Sequence, residues 1–585
     1  MIKTLLSQVK EFKKASFLTP VYMILEVVVE TLIPVAMALM IDNGVEKGDM
    51  AYIYRMGAVM AVLAIAGLIT GILGGKYGAL ASSGFARNLR KAMYTNIQTF
   101  SFSNIDKFST AGLITRLTTD VTNLQNAYQM LLRMCTRAPA SLICAMTMAF
   151  LINAKLASVY LIAVIFLGLA LFMILRRATK YFQEVFKKYD DLNASVQENI
   201  SGIRVVKAYV REDYEISKFQ KACNKVYEMF VRAEKLVVMN MPLMQFTVYA
   251  CILCISWLGA KMVVGSSLTT GELMSLLTYC MNILMSLMML SMVFVMVTMS
   301  IASAERVTEV INEKADLINP AEPVCEVPDG RIDFEHVSFR YKKEGKQNVL
   351  KDIDLSIHAG ETIGIIGGTG SAKSSLVNLI SRLYDVSEGS VKVGGIDVRN
   401  YDMEELRNQV AVVLQKNVLF SGTILENLRW GNKEATEEEC KRACQLACAD
   451  EFIQRMPDGY HTYIEQGGTN VSGGQKQRLC IARALLKKPK ILILDDSTSA
   501  VDTATDAKIR KAFAEEIPDT TKLIIAQRIS SIQSADRIIV MEDGRINGFG
   551  THEELLANNP IYQEVYNSQT KGGGDFDENK GGELA

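Results

Sequence analysis

Six long apolar segments in the first 305 residues restrict what this chain can fold into. A helix that crosses a bilayer needs about 20 mostly apolar residues, and it satisfies its backbone hydrogen bonds internally where water is absent. The segments are residues 17–41, 56–75, 138–154, 156–175, 236–260 and 273–304. We therefore predict an α-helical membrane domain with six crossings at residues 1–320.

Basic residues indicate which ends of these helices face the cytoplasm. Four lysines precede the first segment, and the long connections 76–137 and 176–235 are rich in Lys and Arg. The connection 42–55 carries three acidic side chains. By the positive-inside rule, we expect a multi-pass protein of the cell membrane with both termini and both long connections in the cytoplasm.

Both long connections keep a helical periodicity without clusters of Pro or Gly. This pattern predicts membrane helices that continue well beyond the bilayer. Each connection is expected to turn through a short cytoplasmic helix, near residues 104–113 in the first and near residues 211–219 in the second.

After about residue 331, short β-like runs alternate with helical stretches. This alternation is typical of an α/β domain, which we place at residues 331–570, before a tail at 571–585 whose composition predicts disorder. The 63 basic and 63 acidic side chains balance, which argues against a nucleic-acid partner. The 11 cysteines form no CxxC pair, so neither a metal cluster nor a disulfide framework is expected.

A glycine-rich turn stands between an apolar run and a helical stretch. The run IGII at residues 363–366 is followed by GGTGSAKSS, and strand, turn and helix together are the context of a phosphate-binding loop. Lys373 is expected to reach the β- and γ-phosphates, and the Ser374 hydroxyl to bind Mg²⁺. Ala372 replaces the usual glycine and tolerates unusual backbone angles less well. The candidate phosphate-binding residues are Gly367, Thr369, Gly370, Ser371, Ala372, Lys373, Ser374 and Ser375.

Two further motifs accompany this loop. The apolar run ILILDD at residues 491–496 ends in two carboxylates, and Asp495 is expected to hold Mg²⁺ through water. The segment VSGGQ at residues 471–475 opens a helical run, and a Ser-Gly-Gly turn at a helix N-terminus is a second anion site. About 100 residues after the loop and 20 before ILILDD, this segment is a highly specific signal.

These motifs in this order resemble the ATP-binding cassette (ABC) transporters, and the resemblance covers nearly the whole chain. Six spans followed by one cassette are similar to an exporter-type half-transporter, which implies the type I exporter (type IV ABC) membrane fold fused to an α/β P-loop domain. The family resemblance implies ATP and Mg²⁺ as cofactors. It also implies that two cassettes close head to tail, so that Ser472, Gly473, Gly474 and Gln475 of one chain cover the ATP of the other.

The resemblance implies roles for further residues. Tyr341 matches the aromatic residue that stacks on adenine, although an ordinary tyrosine at a strand edge is the alternative. Gln415 matches the glutamine that meets Mg²⁺ and faces the membrane domain, and Glu465 lies in the loop that touches the short cytoplasmic helices in relatives. The segment SAVD at residues 499–502, with Asp502, matches the D-loop.

The sequence departs from the family at its catalytic positions. The family places a glutamate directly after the aspartate that corresponds to Asp495 (the Walker B aspartate), and this chain has Asp496 there. The family also has a histidine at the position of Gln527 in the segment LIIAQR. Aspartate is one methylene shorter than glutamate, so its carboxylate is expected to fall short of the attacking water. Glutamine can donate a hydrogen bond to a phosphate but carries no proton or positive charge.

Together with Ala372, these departures leave a weakened nucleotide site. The segment VSGGQ at residues 471–475, which matches the signature of the family, is intact. That asymmetry predicts a heterodimer in which a second, homologous half-transporter completes the hydrolysing site with this chain's signature. The alternative is a homodimer that hydrolyses ATP slowly with Asp496.

The membrane segments indicate a cargo only weakly. Glu26 and Glu30 lie four residues apart in the first span and suit a cationic or amphiphilic small molecule, or they face a water-filled cavity or pair with another helix. A methionine stripe suits a promiscuous binding surface or ordinary helix packing. Its members are Met281, Met285, Met288, Met292, Met296 and Met299. We expect a multidrug-type exporter in contact with membrane lipid; the alternatives are a homodimeric lipid or peptide exporter, an importer and a gated channel.

Overall fold

The computed structural model describes residues 1–341, 347–497 and 500–571. The chain divides into two compact units. The membrane unit comprises Met1–Gln98 and Ser109–Glu313. The cassette unit comprises Thr99–Phe108 and the described residues from Lys314 onward. The tail predicted at 571–585 lies almost wholly outside the described residues.

Long helices form the membrane unit. In chain order the first helices are α1 (Ile2–Ser7), α2 (Lys13–Met40), α3 (Met50–Ile97), α4 (Phe102–Phe108), α5 (Thr110–Thr115), α6 (Val121–Ile152), α7 (Ala154–Ser201), α8 (Ile203–Ala208), α9 (Glu212–Val238), α10 (Asn240–Val264) and α11 (Thr270–Asn312). All of them except α4 belong to the membrane unit. Among the described residues, six helical stretches are long and apolar enough to cross a membrane, which confirms the six predicted spans.

The prediction that membrane helices continue well beyond the length of a bilayer crossing is also confirmed. Helices α3 and α7 have 48 residues each, about 72 Å at 1.5 Å per residue, more than twice the hydrocarbon thickness of a bilayer. The first turn occurs at α4 and α5, as predicted. The second prediction was misplaced, because the short helix α8 precedes residues 211–219. Three acidic residues in the first turn of α9 favour a helix N-terminus there, so this segment begins a long helix.

Within the membrane unit, polar side chains of α11 stabilise its packing against α2. The Tyr279 hydroxyl donates to the carbonyl of Thr31, and the Ser275 hydroxyl donates to the carbonyl of Pro34, both at 2.7 Å. Both tyrosine and serine are buried. These bonds give two buried side-chain donors of α11 a backbone acceptor on α2, close to a proline inside that helix.

Two larger sheets, one two-stranded sheet and surrounding helices form the cassette unit. The strands are β1 (Ile332–Phe339), β2 (Leu350–Ile357), β3 (Thr362–Gly367), β4 (Glu388–Val393), β5 (Ile396–Asp397), β6 (Val410–Val413), β7 (Gly422–Thr423), β8 (Tyr463–Ile464), β9 (Ile491–Asp495), β10 (Thr521–Ile525), β11 (Arg537–Glu542) and β12 (Arg545–Gly550). The helices are α12 (Lys373–Ile380), α13 (Met403–Gln409), α14 (Ile424–Leu428), α15 (Glu437–Leu446), α16 (Asp450–Gln454), α17 (Gly473–Leu485), α18 (Thr503–Glu516), α19 (His552–Asn558) and α20 (Pro560–Lys571). The predicted combination of a six-span helical domain and an α/β cassette is confirmed.

The order of strands in the larger sheet positions the phosphate-binding loop. This sheet has the order β12-β11-β3-β10-β9-β6, and only β12 pairs with its neighbour in the antiparallel direction. The apolar runs of β3, β9 and β10 are buried on both faces, as parallel strands covered by helices require. Their carboxyl ends therefore meet at one edge. An antiparallel sheet in the order β2-β1-β4-β5 completes the unit.

We predict that Asp120→Asn destabilises the membrane unit. Asp120 is almost fully buried and accepts hydrogen bonds from Arg306 Nε at 2.8 Å and from Ser303 Oγ at 2.9 Å. Removing the charge weakens a partly buried ion pair, so the free energy of unfolding should fall by about 1–3 kcal/mol. Thermal unfolding in detergent measures the change. Glu309→Gln, which alters a more exposed pair with Arg116, is the control and should cost less than about 1 kcal/mol; equal losses would contradict the prediction.

Candidate functional site

The glycine-rich loop joins β3 to α12 at the edge where the parallel strands end. A Cβ atom on Gly367 would lie 2.2 Å from the carbonyl oxygen of Met541, so only glycine fits beside the neighbouring strand. Gly370 has a φ of +85° and open space around it. The loop therefore follows a path with its backbone exposed, as a phosphate cradle requires.

Lys373 lies folded into this loop. Its Nζ donates to the carbonyl oxygens of Gly367 and Gly368 at 2.8 Å each, and to Ser371 Oγ at 3.2 Å. Burial lowers the pKa of the Lys373 ammonium, while the negative charges of Asp495 and Asp496 oppose that shift. An ammonium that donates to two carbonyls and a hydroxyl of this loop has the charge and position to bind phosphate oxygens.

Ser374 and Asp495 form the candidate Mg²⁺ site. Ser374 Oγ donates to Asp495 Oδ1 at 3.0 Å. Burial raises the pKa of Asp495 and the charge of Asp496 raises it further, while the Ser374 hydrogen bond opposes the shift. A hydroxyl and a carboxylate oxygen next to a phosphate loop fit Mg²⁺, which prefers oxygen ligands. These residues would hold the ion, which neutralises developing charge on transferred phosphates.

Tyr341 is next to the loop helix. Its hydroxyl is 2.8 Å from Ser375 Oγ, and its half-exposed ring packs edge-on against Tyr384 with 5.1 Å between centroids. The exposed ring leaves a face on which a base could stack. Tyr384, which the sequence reasoning missed, follows α12 closely, and an aromatic residue just after that helix was the available signal.

The signature segment is a capped helix N-terminus. Ser472 Oγ accepts from the backbone N–H of Gln475 at 3.3 Å, and Gln475 Oε1 accepts from the backbone N–H of Ser472 at 2.9 Å. This capping box starts the 13-residue helix α17, whose first residues are Gly473 and Gly474. A Cβ on Gly474 would lie 2.7 Å from the carbonyl oxygen of Ala500, so glycine permits close packing of the D-loop.

The remaining signature neighbours have local partners. Asp502 caps α18 by accepting from the backbone N–H of Thr505 at 2.9 Å, whereas Ser499 lies outside the described residues. Gln477, another residue that the sequence reasoning missed, accepts from the backbone N–H of Ala500 at 3.1 Å. Glu465 lies in an exposed loop, and its Oε2 accepts from Thr469 Oγ1 at 2.7 Å.

Comparison with known proteins identifies both units. Residues 17–288 match the ABC transporter transmembrane region, and residues 350–499 match the ABC transporter domain. The uncharacterized ABC transporter ATP-binding protein YfiB of Bacillus subtilis is 37% identical over 564 residues, 96% of this chain and 98% of the relative. An uncharacterized ABC transporter ATP-binding protein of Mycobacterium tuberculosis is 38% identical over 545 residues, 92% and 93% of the two chains. The ATP-dependent lipid A-core flippase of Desulfotalea psychrophila is 35% identical over 488 residues, 83% and 84% of the two chains.

The chain belongs to the ABC transporter family. The similarity to full-length relatives agrees with a half-transporter of the exporter type, with one membrane region and one cassette. An ABC cassette implies ATP binding and ATPase activity, and six apolar helices imply a multi-pass membrane protein.

Asp496, which the sequence predicts at the position of the family's catalytic glutamate, is conformationally constrained. Asp496 is buried and adopts a φ of +48°, which is uncommon for a residue with a side chain. Its Oδ2 accepts a hydrogen bond from Gln527 Nε2 at 2.8 Å and a longer one from Gln415 Nε2 at 3.4 Å. The structure thus brings three of the predicted site residues together around one carboxylate oxygen.

In the membrane unit of this ABC transporter, Glu26 and Glu30 of α2 form ion pairs with Arg137 of α6. Arg137 donates to Glu26 Oε1 at 2.8 Å and to both oxygens of Glu30 at 2.8 and 3.0 Å. The pairing that the sequence left as an alternative is therefore present. Arg137, which the sequence reasoning missed, stands immediately before the third apolar segment.

The methionine stripe is only partly covered within the chain. Met281, Met285 and Met292 are exposed and Met288 is half-buried, while the side chain of Met299 lies outside the described part. The exposed members present a polarizable apolar surface, and their role in cargo binding remains a prediction.

We predict that Ala372→Gly stabilises the cassette. Ala372 has a φ of +72° and a ψ of 23°, a left-handed conformation that costs a residue with a Cβ atom about 1–2 kcal/mol. Glycine removes that strain but adds freedom to the unfolded chain, so the free energy of unfolding should rise by up to about 1 kcal/mol. Thermal unfolding measures this change. Ala514→Gly in the exposed part of α18 is the control and should lose about 0.5–1 kcal/mol; a loss at both positions would contradict the prediction.

Proposed function

We propose that the chain is one half of a heterodimeric exporter, and that its own nucleotide site binds ATP but turns it over slowly. Closure of two cassettes on ATP drives alternating access in the membrane helices, with both termini and the cassette in the cytoplasm. The cargo is a small amphiphilic or cationic molecule. The hydrogen-bonded arrangement of Asp496 is the observation that carries this proposal.

The surroundings of Asp496 oppose its use as a general base. A base must come within about 2.6–3.2 Å of the proton it removes, and the aspartate side chain is one methylene shorter than glutamate. The amide of Gln527 already donates to Oδ2 of this carboxylate, so that oxygen is engaged by a donor on the protein and not by the attacking water. Gln527 itself has no basic group that could take the proton.

The signature supports the assignment of hydrolysis to a partner's site. The capping box of Ser472 and Gln475 is complete, and Gly473 and Gly474 keep the N-terminus of α17 open to an anion. A partner that supplies an intact phosphate loop, glutamate and histidine would meet a competent signature here. The asymmetry between this signature and Asp496 is the reason for proposing two different chains.

Unpartnered apolar surfaces support a two-chain assembly. Helix α4 packs inside the cassette unit, where Asp106 accepts from the Tyr384 hydroxyl at 2.9 Å. The end of α8 instead leaves Val205 at 60%, Tyr209 at 75% and Val210 at 80% exposed, which is costly unless another chain covers them.

The cassette also carries an open groove of about 300 Å³ beside the stacked rings of Phe420 and Trp430. We propose that α8 of each chain docks in this groove on the other.

The proposed cargo class rests on the membrane charges and on one relative. The relative of Desulfotalea psychrophila is named a lipid A-core flippase, which favours an amphiphile over a soluble peptide. Glu26, Glu30 and Arg137 place charge among apolar residues, where ionisable groups are expensive and are usually functional.

We predict that the purified chain alone, in lipid nanodiscs, has almost no ATPase activity, and that Asp496→Glu combined with Gln527→His raises it. The longer carboxylate reaches the water and the histidine contacts the γ-phosphate, so phosphate release should increase by at least about tenfold. Asp496→Asn with Gln527→His is the matched control, because it restores the histidine without a base. Brisk turnover by the unmodified chain would indicate a self-sufficient homodimer and would refute the heterodimer proposal.

We predict that Lys373→Ala weakens ATP binding at this site by at least about tenfold, because a charge-assisted hydrogen bond to phosphate is lost. In the two-chain complex, part of the transport should remain, since the partner's site still hydrolyses ATP. Binding of a fluorescent ATP analogue and vesicle transport measure the two effects. Lys433→Ala, at an exposed position, is the control. Complete loss of ATPase activity in the Lys373→Ala complex would show that this site is more than regulatory.

A further inference from the structure

A charged pocket lies between α2 and α3 in the membrane unit. It has a volume of about 510 Å³, within the range of small-molecule sites. Its charged lining residues are Glu26, Glu30 and Arg133, and its other walls are apolar. Gly71 of α3 leaves space for the Glu26 carboxylate, since a Cβ atom at this position would lie 3.0 Å from Glu26 Oε1.

The ion pairs in this pocket leave two atoms unsatisfied. Arg137 occupies Glu26 Oε1 and both oxygens of Glu30. Glu26 Oε2 and Arg133 Nε are buried and have no hydrogen-bond partner within the described part of the chain. Two charged residues that line the cavity thus each have one polar atom without a partner: a carboxylate oxygen of Glu26 and the Nε–H of Arg133.

Glu26 Oε2 and Arg133 Nε require partners of opposite charge. A buried charged group that lacks a partner costs more than a neutral one, and the cost is greatest where membrane helices exclude water. Glu26 Oε2 can accept from a cation, and Arg133 can donate to an anion such as a phosphate. With Arg133 included, the formal charges of the two acids and two arginines cancel, so the pocket favours a ligand with no net charge.

The walls indicate that such a ligand also has an apolar part. Leu68 and Ile72 of α3 line the pocket, and their side chains are 62% and 60% exposed. Val29 and Ile33 form the opposite apolar wall on α2. The pocket therefore combines a polar end for a head group with an apolar side on which acyl chains could lie.

We propose that this pocket binds the zwitterionic head group of an amphiphile, with its phosphate at Arg133 and its amine at Glu26. This inference rests on the proposed export of amphiphiles and narrows it to molecules that carry both charges. It also gives Arg133 a direct role in ligand binding, which the pairing of Glu26 and Glu30 with Arg137 does not supply.

Binding of three probes to the full-length chain in detergent, without nucleotide, tests the assignment. Dioctanoyl phosphatidylethanolamine carries both charges, dioctanoyl phosphatidylglycerol carries only the phosphate, and dodecylamine carries only the amine. The unmodified chain should bind the first at least about tenfold more tightly than either of the others. Arg133→Gln should weaken binding of both phospholipids but not of dodecylamine, and Glu26→Gln should weaken binding of the two amines but not of phosphatidylglycerol.

Controls separate this inference from simpler explanations. Arg55→Gln, an exposed arginine at the start of α3, should leave all three affinities unchanged. If Arg133→Gln also leaves them unchanged, the arginine only extends towards the membrane interface and the inference is wrong. Equal competition by free phosphoethanolamine would indicate a soluble zwitterion and would overturn the amphiphile assignment.

The result also separates this inference from the proposed function, because binding is measured without ATP or a partner. Absence of charge selectivity together with intact ATP-driven transport would overturn the pocket assignment alone. Selective binding by a chain that proves to be a brisk homodimeric ATPase would support the pocket and refute only the heterodimer.

Discussion

The parallel pairing of β3, β10 and β9 determines where every group of the nucleotide site lies. Ile525 of β10 is paired with Ile365 on one side and with Asp495 on the other. The pairing continues beyond the strand ends, where the backbone N–H of Ala526 donates to the carbonyl of Ile365 and that of Asp496 donates to the carbonyl of Ile525. A shift by one residue would turn these side chains to opposite faces of the sheet. The register therefore brings the phosphate loop, both carboxylates and Gln527 to one edge.

At that edge, the residues proposed to bind the nucleotide differ from those at the predicted catalytic positions. Lys373, Ser374 and Asp495 supply the charge and the oxygen ligands that a nucleotide and Mg²⁺ need. Asp496 and Gln527 occupy the positions that would activate water, and there they bind each other. In the proposed heterodimer, such a site would stabilise the closed pair of cassettes through bound ATP, while the partner's site would supply the free energy of hydrolysis.

Local patterns were enough to predict the main elements but not the long-range pairs. Six apolar runs predicted the spans, and the run of residues from Ile363 through the glycines to Lys373 predicted strand, turn and helix, because each of these signals lies within about 20 residues. Arg137 could not be assigned to Glu26, 111 residues away, since composition does not say which helices pack together. The hydrogen bond from Gln527 to Asp496 was missed for the same reason: strand order, not sequence distance, brings them together. The second short helix was predicted at residues 211–219 but lies at α8, because a charged segment can begin a long helix as well as form a turn.

Helix α4 has a consequence for how the chain is synthesised. Its Asp106 binds Tyr384, 278 residues later, so the cassette is assembled from two separate stretches of the polypeptide. At about 5–20 residues per second, a ribosome needs about 15–55 s to make the intervening chain. During that interval Phe102 lacks Tyr384, whose ring centroid lies 6.0 Å from its own in the folded cassette. The turn at α4 thus keeps this aromatic ring without its later partner until the second half of the protein is made, and a cassette expressed from residue 314 onward would lack Thr99–Phe108 of its own unit.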